Sequence, residues 1–171
     1  MTMTEKSNEH LITECKRIEE DSMYNAETYH QIAASDKKNA FYIKFIPAVI
    51  AALSGVLILL GVPTVVAWLS VLSGFILAIA AVLDPDRKKN DNVKTAKDYT
   101  ALKHDSRALY QTFSKEMSPS EFYISTRLLR ERYNNIVNNS PETNDKAFEK
   151  AREKIKAGRH TPDFEEKKNN V

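Results

Sequence analysis

Residues 45–83 read FIPAVIAALSGVLILLGVPTVVAWLSVLSGFILAIAAVL, and this stretch decides the fold. Its 39 residues include no Asp, Glu, Lys, Arg or His, although 28% of the whole chain of 171 residues is charged. An apolar run of about 18 residues or more is typical of a helix that crosses a membrane. The sequence therefore predicts a membrane protein and argues against a purely soluble domain.

The apolar stretch is too long for a single span. A helix of this length would measure about 58 Å, whereas the hydrocarbon core of a bilayer is about 30 Å thick. Residues 61–64, Gly-Val-Pro-Thr, interrupt the stretch with residues that are typical of turns. We therefore predict an all-α membrane protein built on a two-transmembrane helical hairpin, with spans at about residues 45–60 and 64–83.

Basic residues flank the hairpin on both sides, and the turn between the spans carries no charge. Cytoplasmic flanks of membrane spans are enriched in Lys and Arg. We therefore predict that both termini are cytoplasmic and that the turn faces outward. The flanking basic residues are Lys37, Lys38, Lys44, Arg87, Lys88, Lys89, Lys94 and Lys97.

Small residues recur on both predicted spans. Ser70, Gly74 and Ala78 follow one another at intervals of four residues on the second span, and Gly55 lies on a similar small face of the first. In lipid, small residues let helix backbones approach closely. These faces pack the hairpin against itself, or they pack neighbouring copies into an oligomer. Because two helices alone cannot enclose a pore, a channel would require the oligomer.

Residues 1–44 are predicted to form a cytoplasmic helix that runs into the membrane, because no Gly or Pro occurs between Thr4 and Ile46. Pro47 removes one backbone hydrogen bond and is expected to bend this helix at the membrane boundary. Apolar and small residues at intervals of three and four form a narrow seam. The seam consists of Leu11, Cys15, Ile18, Ser22, Ala26, Tyr29 and Ala33.

Residues 84–117 are predicted to form a second cytoplasmic helix, from about Lys88 to Phe113, that packs on the N-terminal seam. Asp84-Pro85 is expected to stop the second span, which makes Pro85 the second hinge at the membrane boundary. Both helices leave the same membrane face at neighbouring points. The apolar side of the second one contains Val93, Ala96, Tyr99, Leu102, Leu109, Tyr110 and Phe113.

Residues 118–158 are predicted to be a helical extension, and residues 159–171 a disordered tail. Ser118-Pro119-Ser120-Glu121 has the residue order of a capping box with proline at the first helical position. A last helix is expected to start at Ser140-Pro141-Glu142 and to end at Gly158. The apolar residues of the first extension helix are Phe122, Tyr123, Leu128, Leu129, Tyr133, Ile136 and Val137.

No pattern of residues indicates catalysis, a cofactor or a metal site. Glu27 and His30 form one E-x-x-H motif, whereas a di-metal carboxylate bundle needs this motif twice. Cys15 lies in the apolar seam, where a buried thiol is inert. The net charge of +2 is too small for the basic stripe of a nucleic-acid-binding protein. We therefore predict a non-enzymatic protein that does not bind nucleic acid.

The order of elements resembles the SLATT family, small bacterial two-transmembrane proteins that associate with SMODS nucleotidyltransferases and SLOG nucleotide-sensing domains. The resemblance covers roughly residues 12–113. It rests on Asp21-Ser22-x-Tyr24-x-Ala26-x-x-x-His30 with Ala33-Ala34, on Ile46-Pro47-Ala48, Ser54-Gly55 and Ser70-Val71-Leu72-Ser73, and on Ala96-x-x-Tyr99-x-x-Leu102. One departure is Asn92, where many relatives carry a histidine.

The resemblance implies an effector of bacterial conflict and antiphage systems in the inner membrane. A nucleotidyltransferase, a nucleotide-sensing partner protein or a cyclic nucleotide would supply the signal, and the two-helix protein would then oligomerise and permeabilise the bilayer. The helices around His30 and Tyr99 would be the control element. The alternative is a membrane anchor or scaffold that recruits a cytoplasmic partner through its helices.

Overall fold

A computed structural model describes the backbone of residues 3–60 and 65–158. The predicted turn at 61–64 and the predicted tail at 159–171 lie outside the described residues. The described part is all-helical, and two of its helices contain a segment long and apolar enough to cross a membrane. The elements are α1 (Met3–Leu59), α2 (Val65–Leu83), α3 (Pro85–Gln111), a short 3₁₀ turn (Phe113–Lys115), α4 (Pro119–Asn139) and α5 (Asp145–Lys156).

The chain divides into two compact units. Ile32–Asp91 forms one of them, which we call the hairpin unit. Met1–Gln31 and Asn92–Val171 form the other, which we call the bundle.

Within the hairpin unit, the small buried side chains lie at intervals of seven residues. On α1 they belong to Ala33, Ala40, Pro47 and Ser54, and on α2 to Ser73 and Ala80. An interval of seven residues returns to nearly the same face of a helix after two turns. Since α1 stays helical through Pro47, the proline interrupts neither the helix nor this buried row. The bend expected at Pro47 stays a prediction.

The junction between α2 and α3 differs from the prediction. α2 ends at Leu83, but α3 begins at once, at Pro85, rather than near Lys88. The carboxylate of Asp84 accepts the backbone N–H of Arg87 at 3.2 Å, and Asp84 itself has a φ of 38°. Asp84-Pro85 therefore ends one helix and begins the next, with Asp84 as the cap. Proline is tolerated at the first position of a helix, because the backbone N–H that it lacks would have no partner there.

The core of the bundle is built from α1, α3 and α4. Cys15 and Ile18 of α1 are fully buried, as predicted for the seam, and so is Leu102 of α3. The Ser106 hydroxyl donates to the carbonyl of Cys15 at 2.6 Å, which ties α3 to α1. The same core cluster contains Leu109, Phe122 and Leu129.

A partly buried acid on α1, Glu19, reinforces the contact with α3. The Glu19 carboxylate accepts the Nε–H of Arg107 and the hydroxyl of Tyr110, each at 2.7 Å. At the far end of α3 the prediction was too long: the helix stops at Gln111, and Phe113 lies 52% exposed in the 3₁₀ turn.

The capping box at the start of α4 is confirmed. Ser118 and Glu121 bond each other's backbone N–H groups, and Pro119 occupies the first helical position. The predicted apolar residues of α4 divide between two faces. Phe122 and Leu129 are buried, whereas Tyr123, Leu128 and Val137 are exposed.

The start predicted for α5 at Ser140 is wrong. Ser140 is the C-cap of α4, and its extended backbone suits a residue that precedes proline. Asn144 caps α5 instead, with its side-chain oxygen 2.8 Å from the N–H of Ala147. α5 ends at Lys156, and Gly158 follows with a φ of 85°, the left-handed conformation that glycine adopts after helices.

Candidate functional site: the apolar hairpin and the tyrosine cluster

The hairpin unit exposes most of its large apolar side chains. Of the 26 exposed large hydrophobic residues among the described side chains, 20 lie between Phe41 and Leu83. The most apolar 18-residue windows of the two long helices are only 17% and 11% buried. The core helix of a soluble protein would have most of such a window buried. No other part of the described chain therefore covers these apolar faces of the two helices.

The small residues of the two spans do not all share one face. The buried positions Ser54 and Ser73 directly precede Gly55 and Gly74, so each glycine lies about 100° around its helix from the buried row. A Cβ atom added at either glycine would meet nothing within 4 Å. The described chain therefore does not use the smallness of these two glycines for its own packing.

The other two residues of the predicted small face on α2 are Ser70 and Ala78, which lie one turn before and one turn after Gly74. Ser70 is partly buried, and Ala78 is exposed. Ser73, by contrast, is 3% exposed, and its hydroxyl donates to the carbonyl of Leu69 at 2.8 Å. The buried small residues of the hairpin unit are thus Ser54, Ser73 and Ala80 rather than the two glycines, and both interpretations of the predicted small face stay predictions.

Aromatic rings cluster where the apolar segment of α1 begins. The rings of Phe41 and Phe45 are stacked with their centroids 5.0 Å apart, and Tyr42 meets Phe41 edge-on at 5.7 Å. All three side chains are more than half exposed. Exposed aromatic residues at the end of an apolar helix are typical of the interface between lipid and water.

Charged residues link α1 to the start of α3 at the same end of the hairpin unit. The Lys44 ammonium bonds the Asp86 carboxylate, and Lys89 bonds its other oxygen at 3.2 Å. The hydrogen bonds from these lysines hold the pKa of Asp86 below its usual range. Asp86 follows the predicted hinge residue Pro85 directly, so the α2–α3 junction carries an ionic contact back to α1.

The predicted control element, the helices around His30 and Tyr99, lies in the bundle. Tyr99 of α3 is 2% exposed and stacks on Tyr29 of α1, with ring centroids 5.8 Å apart and planes 11° from parallel. The ring of Tyr133 on α4 meets Tyr99 edge-on at 6.3 Å. The Tyr29 hydroxyl donates to the carbonyl of Pro141, in the segment between α4 and α5. Three helices and the α4–α5 connection therefore meet at these rings, which we call the tyrosine cluster.

The tyrosine cluster is held in its neutral form. Burial raises the pKa of Tyr29 and of Tyr99, against a smaller lowering by the Ser140 hydroxyl. Burial and the nearby Asp21 carboxylate likewise raise the pKa of Tyr133. Because the phenols stay protonated, each can donate a hydrogen bond.

His30 does not join the tyrosine cluster. Its side chain is exposed, whereas Glu27, three residues earlier, is 3% exposed. The Glu27 carboxylate accepts from Gln31 at 2.6 Å and lies 3.5 Å from the ammonium of Lys154 on α5. Glu27 therefore holds α5 against α1, and no group of three metal-ligating side chains occurs among the described residues.

Sequence reasoning did not identify a cleft of about 540 Å³ in the bundle. The rings of Tyr24 and Phe148 form one wall, with centroids 6.2 Å apart. Three of its seven lining residues are aromatic, and the other four are polar or charged. No spacing in the sequence indicates the cleft, because its residues come from three separate helices. They are Glu20, Asp21, Tyr24, Asn25, Tyr133, Phe148 and Arg152.

Comparison of the chain with models of protein families, with curated proteins and with solved structures found no match.

Proposed function

We propose that this chain is a membrane effector of the SLATT type, which inserts its hairpin into the bacterial inner membrane, oligomerises and makes the membrane permeable. One observation carries the proposal: two long apolar helices have most of their large side chains exposed rather than packed. The resemblance in residues 12–113 adds the class of effector.

The energetic argument favours lipid as the medium around the hairpin unit. Keeping one large apolar side chain in water instead of burying it costs about 1.5–3 kcal/mol. Twenty such residues between Phe41 and Leu83 would together cost tens of kcal/mol in water. The whole stability of a domain is only about 5–15 kcal/mol. A bilayer removes this cost, and the aromatic residues at Phe41–Phe45 then lie at the level of the headgroups.

Permeation in this proposal is a property of an assembly. The segment 45–83 contains no ionisable side chain, so a pathway lined by charge is absent from each copy. Neighbouring hairpins pack through the open face of Gly55 and Gly74, where no atom of the same chain would meet an added Cβ. The pathway is enclosed by several copies, because two helices cannot surround one.

The bundle is the control element in this proposal. Lys and Arg residues on both flanks favour cytoplasmic termini, which places the bundle on the side where a nucleotide signal is made. A nucleotidyltransferase or nucleotide-sensing partner protein, or a cyclic nucleotide itself, acts on the helices around His30 and Tyr99. The tyrosine cluster is a suitable relay, since a shift of α3 there would change contacts with α1, α4 and Pro141 together.

A second candidate function is that of a membrane anchor that recruits a cytoplasmic partner. The cleft between Tyr24, Tyr133 and Phe148 favours it, because such a cleft suits a peptide or a small ligand without any need for a pore. In this case the hairpin would hold the protein in the membrane without making it permeable.

Release of a trapped dye from liposomes tests the proposal. The full chain is reconstituted into liposomes at increasing protein-to-lipid ratios, with and without a panel of cyclic oligonucleotides. We expect release that rises more steeply than in proportion to the protein, because several copies form each pathway. Release that needs one nucleotide would assign the signal to that compound. Intact liposomes under every condition, with the protein inserted, would contradict an effector that acts alone or is gated directly by a nucleotide. That result would support the anchor, or an effector that needs its partner protein.

A further inference from the structure

Helix α4 has apolar residues on the side that faces away from the bundle core. Phe122, Thr126 and Leu129 are buried on the core side. Ile124 and Leu128 are 55% and 59% exposed. At 3.6 residues per turn they lie on the opposite side of the helix, together with Arg127 and Glu131. We call Ile124, Arg127, Leu128 and Glu131 the outer stripe.

The charges of the outer stripe indicate what kind of surface it fits. Arg127 and Glu131 bond each other at 3.0 Å, with their side chains 69% and 53% exposed. The stripe is therefore neutral as a whole, whereas a surface for anionic lipid or nucleic acid carries an excess of Lys and Arg. Arg127 and Glu131 lie on either side of Leu128 along the helix. When a second copy of the helix runs in the opposite direction, each positive charge therefore meets a negative one.

We propose that the outer stripe pairs with the outer stripe of a second copy, in an antiparallel arrangement of two α4 helices. When the two-fold axis crosses the outer side of α4 at the level of residue 129, Arg127 of each copy faces Glu131 of the other. Ile124 and Leu128 then fill the space between the helices. The one internal ion pair of each copy is given up and two intermolecular pairs form, so that no charge loses its partner when the apolar residues are buried.

The contact is small, which suits an assembly that is made and undone. A stable interface usually buries about 1,000 Å² or more, and one pair of helices buries less than this area. Copies confined to one membrane have a high effective concentration for each other, which strengthens a weak contact without new interactions. The inference deepens the assembly proposed above and rests on it for its biological role, whereas the pairing of α4 can be measured directly.

Site-specific cross-linking in liposomes tests the pairing. Leu128→Cys in the full chain is treated with a short bis-maleimide; the native Cys15 is fully buried and does not compete. Val137→Cys is the matched control, because Val137 is 44% exposed on the same helix but lies on the side opposite Leu128. We expect cross-linked dimers from Leu128→Cys at no less than about five times the yield of the control.

Charge reversal then identifies the partner as a second copy. In the Leu128→Cys background, Arg127→Glu places like charges opposite each other at both ends of the pair and should lower the dimer yield about tenfold, a loss of about 1.4 kcal/mol. Adding Glu131→Arg restores the complementary pattern and should recover most of the yield. Lys150→Glu, an exposed reversal on α5, should change nothing.

Three results would overturn the pairing: a yield from Leu128→Cys no higher than from the control, no effect of Arg127→Glu, or no recovery in the double reversal. The first two would assign the stripe to a different occupant, such as a partner protein. Cross-linking at Leu128 with intact liposomes would support the pairing of α4 while contradicting the proposed permeabilisation. The two proposals therefore fail separately.

Discussion

Gly74→Leu is expected to lower dye release at least about tenfold at an equal amount of protein in the membrane. A Cβ at Gly74 meets nothing within 4 Å, so the hairpin of a single copy accepts the larger side chain. Leucine at this position instead holds neighbouring helices apart, and close packing between small residues is the main attraction available to helices in lipid. The loss should therefore appear in the assembly and not in the fold of one chain.

A matched control separates assembly from a general disturbance of α2. Leu72→Phe also adds bulk to an exposed position, but on the opposite side of the helix. Its release should equal that of the wild type. Liposome-bound protein and helical circular dichroism are measured for both variants, so that insertion is known to be equal. Wild-type release from Gly74→Leu would show that this face has no part in the assembly.

Leu102→Asp is expected to unfold the bundle. Leu102 is fully buried in the core between α1, α3 and α4. Removing a buried leucine costs about 2–5 kcal/mol, and an unpaired carboxylate in an apolar core adds several more. The sum is comparable to the whole stability of a typical domain, about 5–15 kcal/mol. Limited proteolysis of the full chain in liposomes should then cleave α3 and α4 at a protease concentration that leaves the wild type intact.

Leu128→Asp is the control for this substitution. It introduces the same carboxylate on the same unit, at a side chain that is 59% exposed, and the bundle should resist protease as the wild type does. A bundle that tolerated Leu102→Asp equally well would contradict the core described here. Comparing dye release of Leu102→Asp with that of the wild type would also show whether the bundle restrains the hairpin or is needed to open it.

Long apolar runs and local caps could be predicted from the sequence. The segment 45–83 contains two helices long and apolar enough to cross a membrane, because the absence of charge over 39 residues leaves few other structures. The capping box at Ser118 was equally predictable, since it depends on neighbours within one turn. The seam residues Cys15 and Ile18 are buried because intervals of three and four residues return to one helix face.

Features that depend on competition between neighbouring signals were harder to predict. Asp84-Pro85 contains both a stop for α2 and a cap for α3, and only its first role was recognised. Ser140-Pro141-Glu142 predicts the start of α5, although Asn144 provides the better-placed side-chain acceptor. Periodicity did not divide the apolar residues of α4, where Leu128 proved exposed beside the buried Leu129.

Contacts between distant segments had no signal in the sequence. Tyr99 was singled out as a candidate through the family resemblance, but its stacking on Tyr29 and the bond from Tyr29 to Pro141 join residues up to 112 positions apart. His30 was singled out in the same way, yet its exposed side chain lies outside the tyrosine cluster. The cleft beside Tyr24 likewise arises only when α1, α4 and α5 pack together.

The most direct test of the account is where Trp68 lies in a membrane. It is the only tryptophan of the chain and is 71% exposed on α2, so its fluorescence reports the hairpin without any label. In liposomes whose acyl chains carry bromine, we predict strong quenching of this fluorescence and protection from iodide in the water. Strong quenching by iodide, with no effect of the brominated lipid, would contradict a hairpin that crosses the bilayer.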